Sequence, residues 1–176
     1  MGLGILDGGC TLNQFIVIEG LDATGKSTLV ENLSKALSAV KLSCPPEIII
    51  PSIQVSPSRS HFDSLEPIRR RAYYRFSNLV ASEQASKNLV HSNVIMDRYW
   101  SSTAAFAAMD EGFEHDIELG NYPEEIRKPD LVILLIVDEE NRLERMLGRG
   151  EGETKEESEL ATSKIKRNNV LAAYKK

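Results

Sequence analysis

Residues 15–28 read FIVIEGLDATGKST, and this stretch decides the fold. Phe15–Glu19 is short, apolar and β-branched, which predicts a buried strand. It runs into Gly20-Leu21-Asp22-Ala23-Thr24-Gly25-Lys26-Ser27, which matches the G-x-x-x-x-G-K-[ST] pattern, and Thr28 follows. The physics of that pattern is the capture of phosphate. Two glycines let the backbone turn and bring its N–H groups close to an anion. The helix that starts at Gly25 aims its free amides and positive dipole end at the same point. Lys26 adds a point charge suited to the β- and γ-phosphates of ATP, and the Ser27 hydroxyl is a ligand for Mg²⁺. The bland alternative is a glycine-rich turn carrying a surface lysine.

Working outward, Leu29, Leu33, Ala36, Leu37 and Val40 keep helical spacing, so the helix is expected to reach about Ala39. Glu47–Ile50 is the second strand candidate, between Cys44-Pro45-Pro46 and Pro51, and a polar loop over 52–66 follows. A long helix is expected over Ile68–His91, with Ala72, Tyr73, Phe76, Leu79, Val80, Ala85 and Leu89 as its apolar stripe. Val94–Met96 is a short strand that ends in Asp97, and a helix covers Ser101–Met109. Residues 110–129 read as irregular. Leu131–Val137 is a run of seven apolar residues, the pattern of a covered parallel strand. A helix follows over Glu139–Leu147, broken by Gly148-Arg149-Gly150. Thr154 with Glu157 forms a capping box for a last helix that runs to the end of the chain. Strands alternating with helices predict an α/β fold: the three-layer P-loop NTPase arrangement, a doubly wound parallel sheet flanked by helices, with a lid. Ligands then bind beyond the carboxyl ends of the strands, where Gly20, Asp97 and Asp138 fall.

The chain has 176 residues, which suits one domain: a loose glycine-rich segment 1–13, then a domain over 14–176 with a lid near 148–158. A net charge of −5 argues against nucleic acid and anionic membrane as partners. No apolar run is long enough to span a bilayer, and no signal or transit peptide is evident. Cys10 and Cys44 have no metal-type spacing and fit a reducing compartment. His61, His91 and His115 share no spacing that suggests catalysis.

Asp97, after VIM, reads as an acid facing the metal, or as a helix cap. Arg98 beside it would hold a second phosphate, or end a strand in a salt bridge. Arg142, Arg145 and Arg149 lie in RLERMLGRG. They are either a solvated helix face or the arm of a lid that brings an arginine to the transferring phosphoryl group.

GLDATGKST, DRYWSSTAAFA and the GRG before a capped helix resemble the thymidylate kinase family of P-loop nucleoside monophosphate kinases. RRAYYRFSN…VASEQ and RKPDLVILLIV are most similar to its UMP/CMP kinase branch, best known from mitochondria. The resemblance covers about residues 14–174 and implies transfer of a phosphoryl group from ATP, with Mg²⁺, to a nucleoside monophosphate. It implies that residues 20–28 bind ATP and that Ser27 and Asp97 hold the metal. It further implies that Asp22 meets the acceptor's 3′-hydroxyl and that Arg98 holds the acceptor phosphate. Phe76 is the best match to the aromatic that stacks on the base, with plain core as the alternative. Thr103 and Phe106 match positions that line base and sugar. Some members carry a loop arginine where this chain has Ala23, so Arg149 or Arg145 becomes the catalytic candidate. Homodimers through the long helix and a cytoplasmic or mitochondrial home are implied in the same way.

Two departures shape the expectation. Thymidylate kinases read the base with an arginine one turn past the aromatic, and here Ala81 and its neighbours offer none. Asn78 is the substitute reader, which favours dUMP, dCMP, UMP or CMP over dTMP. The arginine for the acceptor phosphate is open among Arg59, Arg69, Arg70 and Arg71. The family usually continues into another strand and helix past the point where this sequence stops, so a shortened form is expected. Two rival readings remain. One is a deoxynucleoside kinase, which would need a base that Glu19 does not obviously provide. The other is a paralogue that binds nucleotide without turnover. A GTPase is disfavoured because no N-K-x-D motif occurs.

Overall fold

The computed structural model describes residues 12–49, 61–62, 64–110, 122–149 and 155–175. Four strands, β1 (Phe15–Gly20), β2 (Val40–Ser43), β3 (Val94–Asp97) and β4 (Leu131–Leu135), form one parallel sheet in the order β2-β3-β1-β4. The helices are α1 (Lys26–Ala36), α2 (Pro67–Asn88), α3 (Trp100–Ala107), α4 (Glu139–Arg149), α5 (Lys155–Thr162) and α6 (Lys164–Tyr174).

The period of two along the central strands sorts the core into two layers. Phe15, Val17, Val94 and Met96 point toward Ala81 and Ala85 of α2 and Leu89 at its C-cap. Ile16, Ile18 and Ile95 point toward Val30, Leu29 and Leu33 of α1. A third cluster joins α3 to the carboxyl-terminal helices: Ala105 and Phe106 pack with Leu160, Val170 and Leu21 of the loop after β1. Both faces of β1 and β3 are therefore covered, as the apolar sequence requires.

The second strand is not where the sequence pattern puts it. Glu47–Ile49 is a turn, and Ile50 lies outside the described residues. Val40-Lys41-Leu42-Ser43 is the strand, with Val40 beside Val94 and Leu42 beside Met96. The helix stops at Ala36 because Ser38 takes a left-handed φ of 49°, and Val40 is freed to pair. The run 131–137 also differs from expectation. β4 ends at Leu135 and is an edge strand here, with Leu131, Val132 and Ile136 exposed. α4 runs through Gly148 to Arg149 rather than breaking there. The last helix divides at Ser163, whose side chain accepts a bond from the Lys166 amide and starts α6. Residues 150–154 of the expected lid, with Thr154 of the capping box, lie outside the described residues.

The stripe on α2 is only partly as expected: Tyr73, Ala85 and Leu89 are buried, but Ala72, Phe76 and Leu79 are not. Its buried face carries Arg70, Tyr73, Ser77, Asn78, Ala81 and Ala85, whereas Ile68, Ala72, Phe76 and Leu79 face outward. Polar side chains are tolerated inside because they pair there. Ser77 bonds to the Tyr73 carbonyl, and Asn78 bonds to Tyr74 and Thr103.

Candidate active site

β1 delivers the chain to the top of the sheet, and Gly20 turns it at φ 139°. A Cβ there would lie 2.5 Å from the Leu135 carbonyl oxygen, so only glycine lets the loop pass β4. The loop closes on itself: Thr24 Oγ1 donates to the Leu21 carbonyl at 2.9 Å, and Lys26 Nζ donates to the same oxygen at 2.8 Å. Gly25, at φ 98°, starts α1, and no side chain caps the helix, so its first amides face the loop. Lys26 is only 6% exposed. Burial, with the nearby Arg98 charge adding to it, lowers its ammonium to about 8, while Asp22 and Asp97 pull the other way. A lysine held this dry is poised to gain from an anionic partner.

Asp97 ends β3, and its Oδ2 accepts a bond from Ser27 Oγ at 2.8 Å. The structure thus joins the two residues expected at the metal, which are 70 positions apart in sequence. One hydroxyl and one carboxylate suit Mg²⁺, which keeps several waters and takes its other oxygens from substrate phosphates.

Arg98 follows at φ 66°, a left-handed backbone that is uncommon for a side chain of this size. Its amide donates to the Ile18 carbonyl at 3.0 Å, which fixes it to β1. Its guanidinium donates to Asp22 Oδ1 at 2.5 Å and to Ser102 Oγ at 3.2 Å, and lies 5.2 Å above the Phe106 ring. Burial alone would lower its pKa, but Asp22 and Asp97 outweigh that and raise it. Thr103 and Asn78 stand nearby, with Asn78 Nδ2 donating to Thr103 Oγ1 at 2.7 Å. The Asn78 amide is thus engaged between helices: Nδ2 also donates to Tyr74, and Oδ1 accepts from the Cys44 thiol. Burial raises that thiol, so Cys44 is an inert core group.

Phe76 is 56% exposed, which corrects the plain-core alternative, and it lies two residues and so about 200° around α2 from the buried Asn78. Arg142 is another correction to the solvated-face reading. It is 1% exposed, pairs with Glu139 through two bonds of 2.8 Å, and reaches the Asp22 carbonyl at 3.4 Å. Arg167 of α6 joins Glu139 at 3.2 Å. Arg145 remains exposed and touches the Ala23 carbonyl at 3.5 Å, so α4 grips the loop at two points. The Arg149 side chain lies outside the described residues. Thr28 is exposed beside the loop. A cleft of about 290 Å³ opens along this side, between Thr24, Asp138, Arg142 and Lys164. Among the open acceptor arginines, Arg70 and Arg71 are buried on Asp110, at 2.8 and 2.7 Å. Arg69 is exposed, and Arg59 is outside the described residues.

Sequence reasoning missed what three residues do here. Glu19 lies wholly buried under α3, Tyr174 of α6 bonds to Ser102, and Arg142 braces the loop. Glu19 had a signal: a charged residue inside an otherwise apolar strand is buried only for a reason. The other two depend on tertiary packing and had none.

A phosphate cradle between β1 and α1, with a hydroxyl and an acid meeting beyond it and an arginine presented across the cradle, defines a P-loop nucleotide-binding protein. Within that class the chain belongs to the thymidylate kinase family, whose model matches residues 18–176. Mitochondrial UMP-CMP kinase 2 of Homo sapiens is 39% identical over 170 residues, which cover 93% of this chain and 36% of that protein. The chain thus spans little more than a third of that relative. Thymidylate kinase from Candida albicans superposes with a TM-score of 0.65 at 22% identity, over 92% of this chain and 76% of its own. Deoxyadenosine kinase from M. mycoides with bound dATP gives 0.60 at 21% identity, over 93% and 82%. Both share the fold. No described helix is long and apolar enough to cross a membrane.

Proposed function

We propose that this chain transfers the γ-phosphoryl group of ATP to a pyrimidine nucleoside monophosphate and so makes the diphosphate. The observation that carries the reading is Arg98, held by Asp22 and Ser102 on the far side of the loop that holds Lys26. Two anions gripped by these two cations would face each other across the top of β1 and β3. Loop amides and Lys26 bind the donor phosphates. Ser27 and Asp97 hold Mg²⁺, which when bound neutralises charge on the β- and γ-phosphates. Arg98 exchanges part of its bond with Asp22 for the acceptor phosphate, and Asp22 is released toward the acceptor sugar. The acceptor phosphate is already an anion, so no general base is needed. Rate comes from positioning and charge neutralisation. Arg145, on the loop at Ala23, and Arg149, one turn further on, are the arginines that α4 can offer the transferring group.

A pyrimidine acceptor is supported by the similarity to a UMP-CMP kinase and by the lack of an arginine about one turn past Phe76, where Leu79, Val80 and Ala81 stand. That relative is mitochondrial by name, which supports a mitochondrial compartment for this chain. The outward stripe Ile68, Ala72, Phe76 and Leu79 on α2 supports a homodimer. The deoxynucleoside kinase reading needs a free carboxylate to take a hydroxyl proton, and Glu19, sealed under α3, is not one. An ADP-release assay with dTMP, dUMP, dCMP, UMP, CMP and thymidine tests the proposal. Turnover with a pyrimidine monophosphate is expected. Turnover with thymidine alone, or with no acceptor, refutes it.

A further inference from the structure

We propose that Glu19, acting through Ser102, is a positioning residue that locks Arg98 and Asp22 in place from beneath. The proposal rests on the acceptor role of Arg98 given above. α3 begins without a cap of its own: Tyr99 at its N-cap makes no side-chain capping bond. Glu19, 80 residues earlier in the chain, supplies the cap from β1. Its Oε1 accepts from the Tyr99 amide at 3.0 Å and the Ser102 amide at 3.2 Å, and its Oε2 accepts from Ser102 Oγ. A carboxylate at that point also meets the positive end of the helix dipole. Arg98 is the residue just before this cap, so the cap sets where its left-handed backbone sits.

The hydroxyl of Ser102 then has a fixed sense. It has one proton and two lone pairs. The proton goes to Glu19, and the lone pairs accept from Arg98 at 3.2 Å and from Tyr174 Oη at 2.8 Å. If Glu19 takes up a proton on Oε2, its O–H donates to Ser102. The Ser102 proton then turns to Tyr174 Oη, reversing that bond, and the Ser102 oxygen is no longer polarised by a carboxylate beneath it. Arg98 keeps its bond to Ser102 but loses the negative charge that Glu19 sets beneath it, so its hold weakens. Burial lifts the Glu19 carboxyl to about 7, against the lowering pull of Ser102 and Arg98, so this exchange falls in the working pH range. The groups whose charges bear on Glu19 are Arg98 and Tyr122 together with Lys26, Cys44 and Tyr174. None of the last four is a group that titrates below 8 here.

The test compares the full chain with Glu19→Gln and Ser102→Ala, using whichever pyrimidine monophosphate the wild type phosphorylates, from pH 5.5 to 9. We expect the KM for the monophosphate to rise about tenfold or more in both variants. ATP-analogue affinity should stay within about twofold. The acidic limb of kcat/KM, near 7 in the wild type, should fall to that of the substrate phosphate, about 6, in Glu19→Gln. Unchanged KM and limb overturn the proposal, as does an equal loss of both ligands, which marks a merely structural role. If Glu19→Gln does not fold, Ser102→Ala, which keeps both amide bonds to Glu19, decides by its KM. If the wild type phosphorylates no monophosphate, the function reading fails by itself. The positioning claim is then read from the Arg98 side-chain NMR resonances. They should titrate near pH 7 in the wild type and not in Glu19→Gln; no titration in the wild type overturns it.

Discussion

Replacing Gly20 by alanine puts a methyl carbon 2.5 Å from the Leu135 carbonyl oxygen, a distance that real Cβ atoms do not show. The clash is with backbone, so no side chain can swing aside. The backbone angle adds to it, because φ 139° is open to glycine and costs other residues about 1–3 kcal/mol. Forcing a carbon into a packed site costs about 1–3 kcal/mol more. The sum, about 2–6 kcal/mol, is a large part of the stability of an ordinary domain. At about 2–4 °C per kcal/mol for a chain of this size, the melting temperature should fall by about 4–24 °C. Gly148→Ala is the matched control: nothing lies within 4 Å of its added carbon, and it sits in α4, where alanine favours the helix by about 1 kcal/mol. Thermal unfolding followed by circular dichroism measures both. A Gly20→Ala protein that melts within a degree of the wild type would refute the account of how the loop passes β4.

Phe76→Glu should leave the KM for the acceptor within about twofold, because Phe76 lies on the outward face of α2. Light scattering should show the same variant shifted from dimer to monomer; a raised acceptor KM in a protein of unchanged mass contradicts this. Glu19 also gives a stability signature. In the folded chain it holds its proton to about pH 7 against an ordinary 4.5. Below 4.5 folded and unfolded chains both bind the proton, and between 4.5 and 7 only the folded chain keeps it. Stability therefore falls as pH rises through that window, by up to about 3 kcal/mol, and is flat above it. Urea midpoints should show this fall in the wild type and lose it in Glu19→Gln; parallel curves for the two proteins refute it.

The order of elements was legible in the sequence wherever a single period ran long enough. β1, the loop, α2 and β3 are strong local patterns, and they sit where their residues put them. β2 was hidden because Leu33, Leu37 and Val40 extend a helical spacing across a four-residue strand. Its pairing with β3 decides the matter, and pairing is not local. The face of α2 misled for a related reason: Ser77 and Asn78 are buried because partners wait for them on α3 and on their own helix, while Phe76 and Leu79 face out. Polar composition could not report those partners. In the site, the loop residues and the Ser27–Asp97 meeting were readable from motif and topology together. Arg142, Tyr174 and the cap supplied by Glu19 join distant parts of the chain and needed the packed structure.

The central claim is that the loop between β1 and α1 grips a nucleotide's phosphates through its amides and Lys26. Isothermal calorimetry with a non-hydrolysable ATP analogue and Mg²⁺ tests it most directly. The account predicts saturable one-site heat for the folded wild type and binding weakened about tenfold or more in Lys26→Met. A folded wild type that gives no saturation, or a Lys26→Met protein that binds equally well, would contradict it.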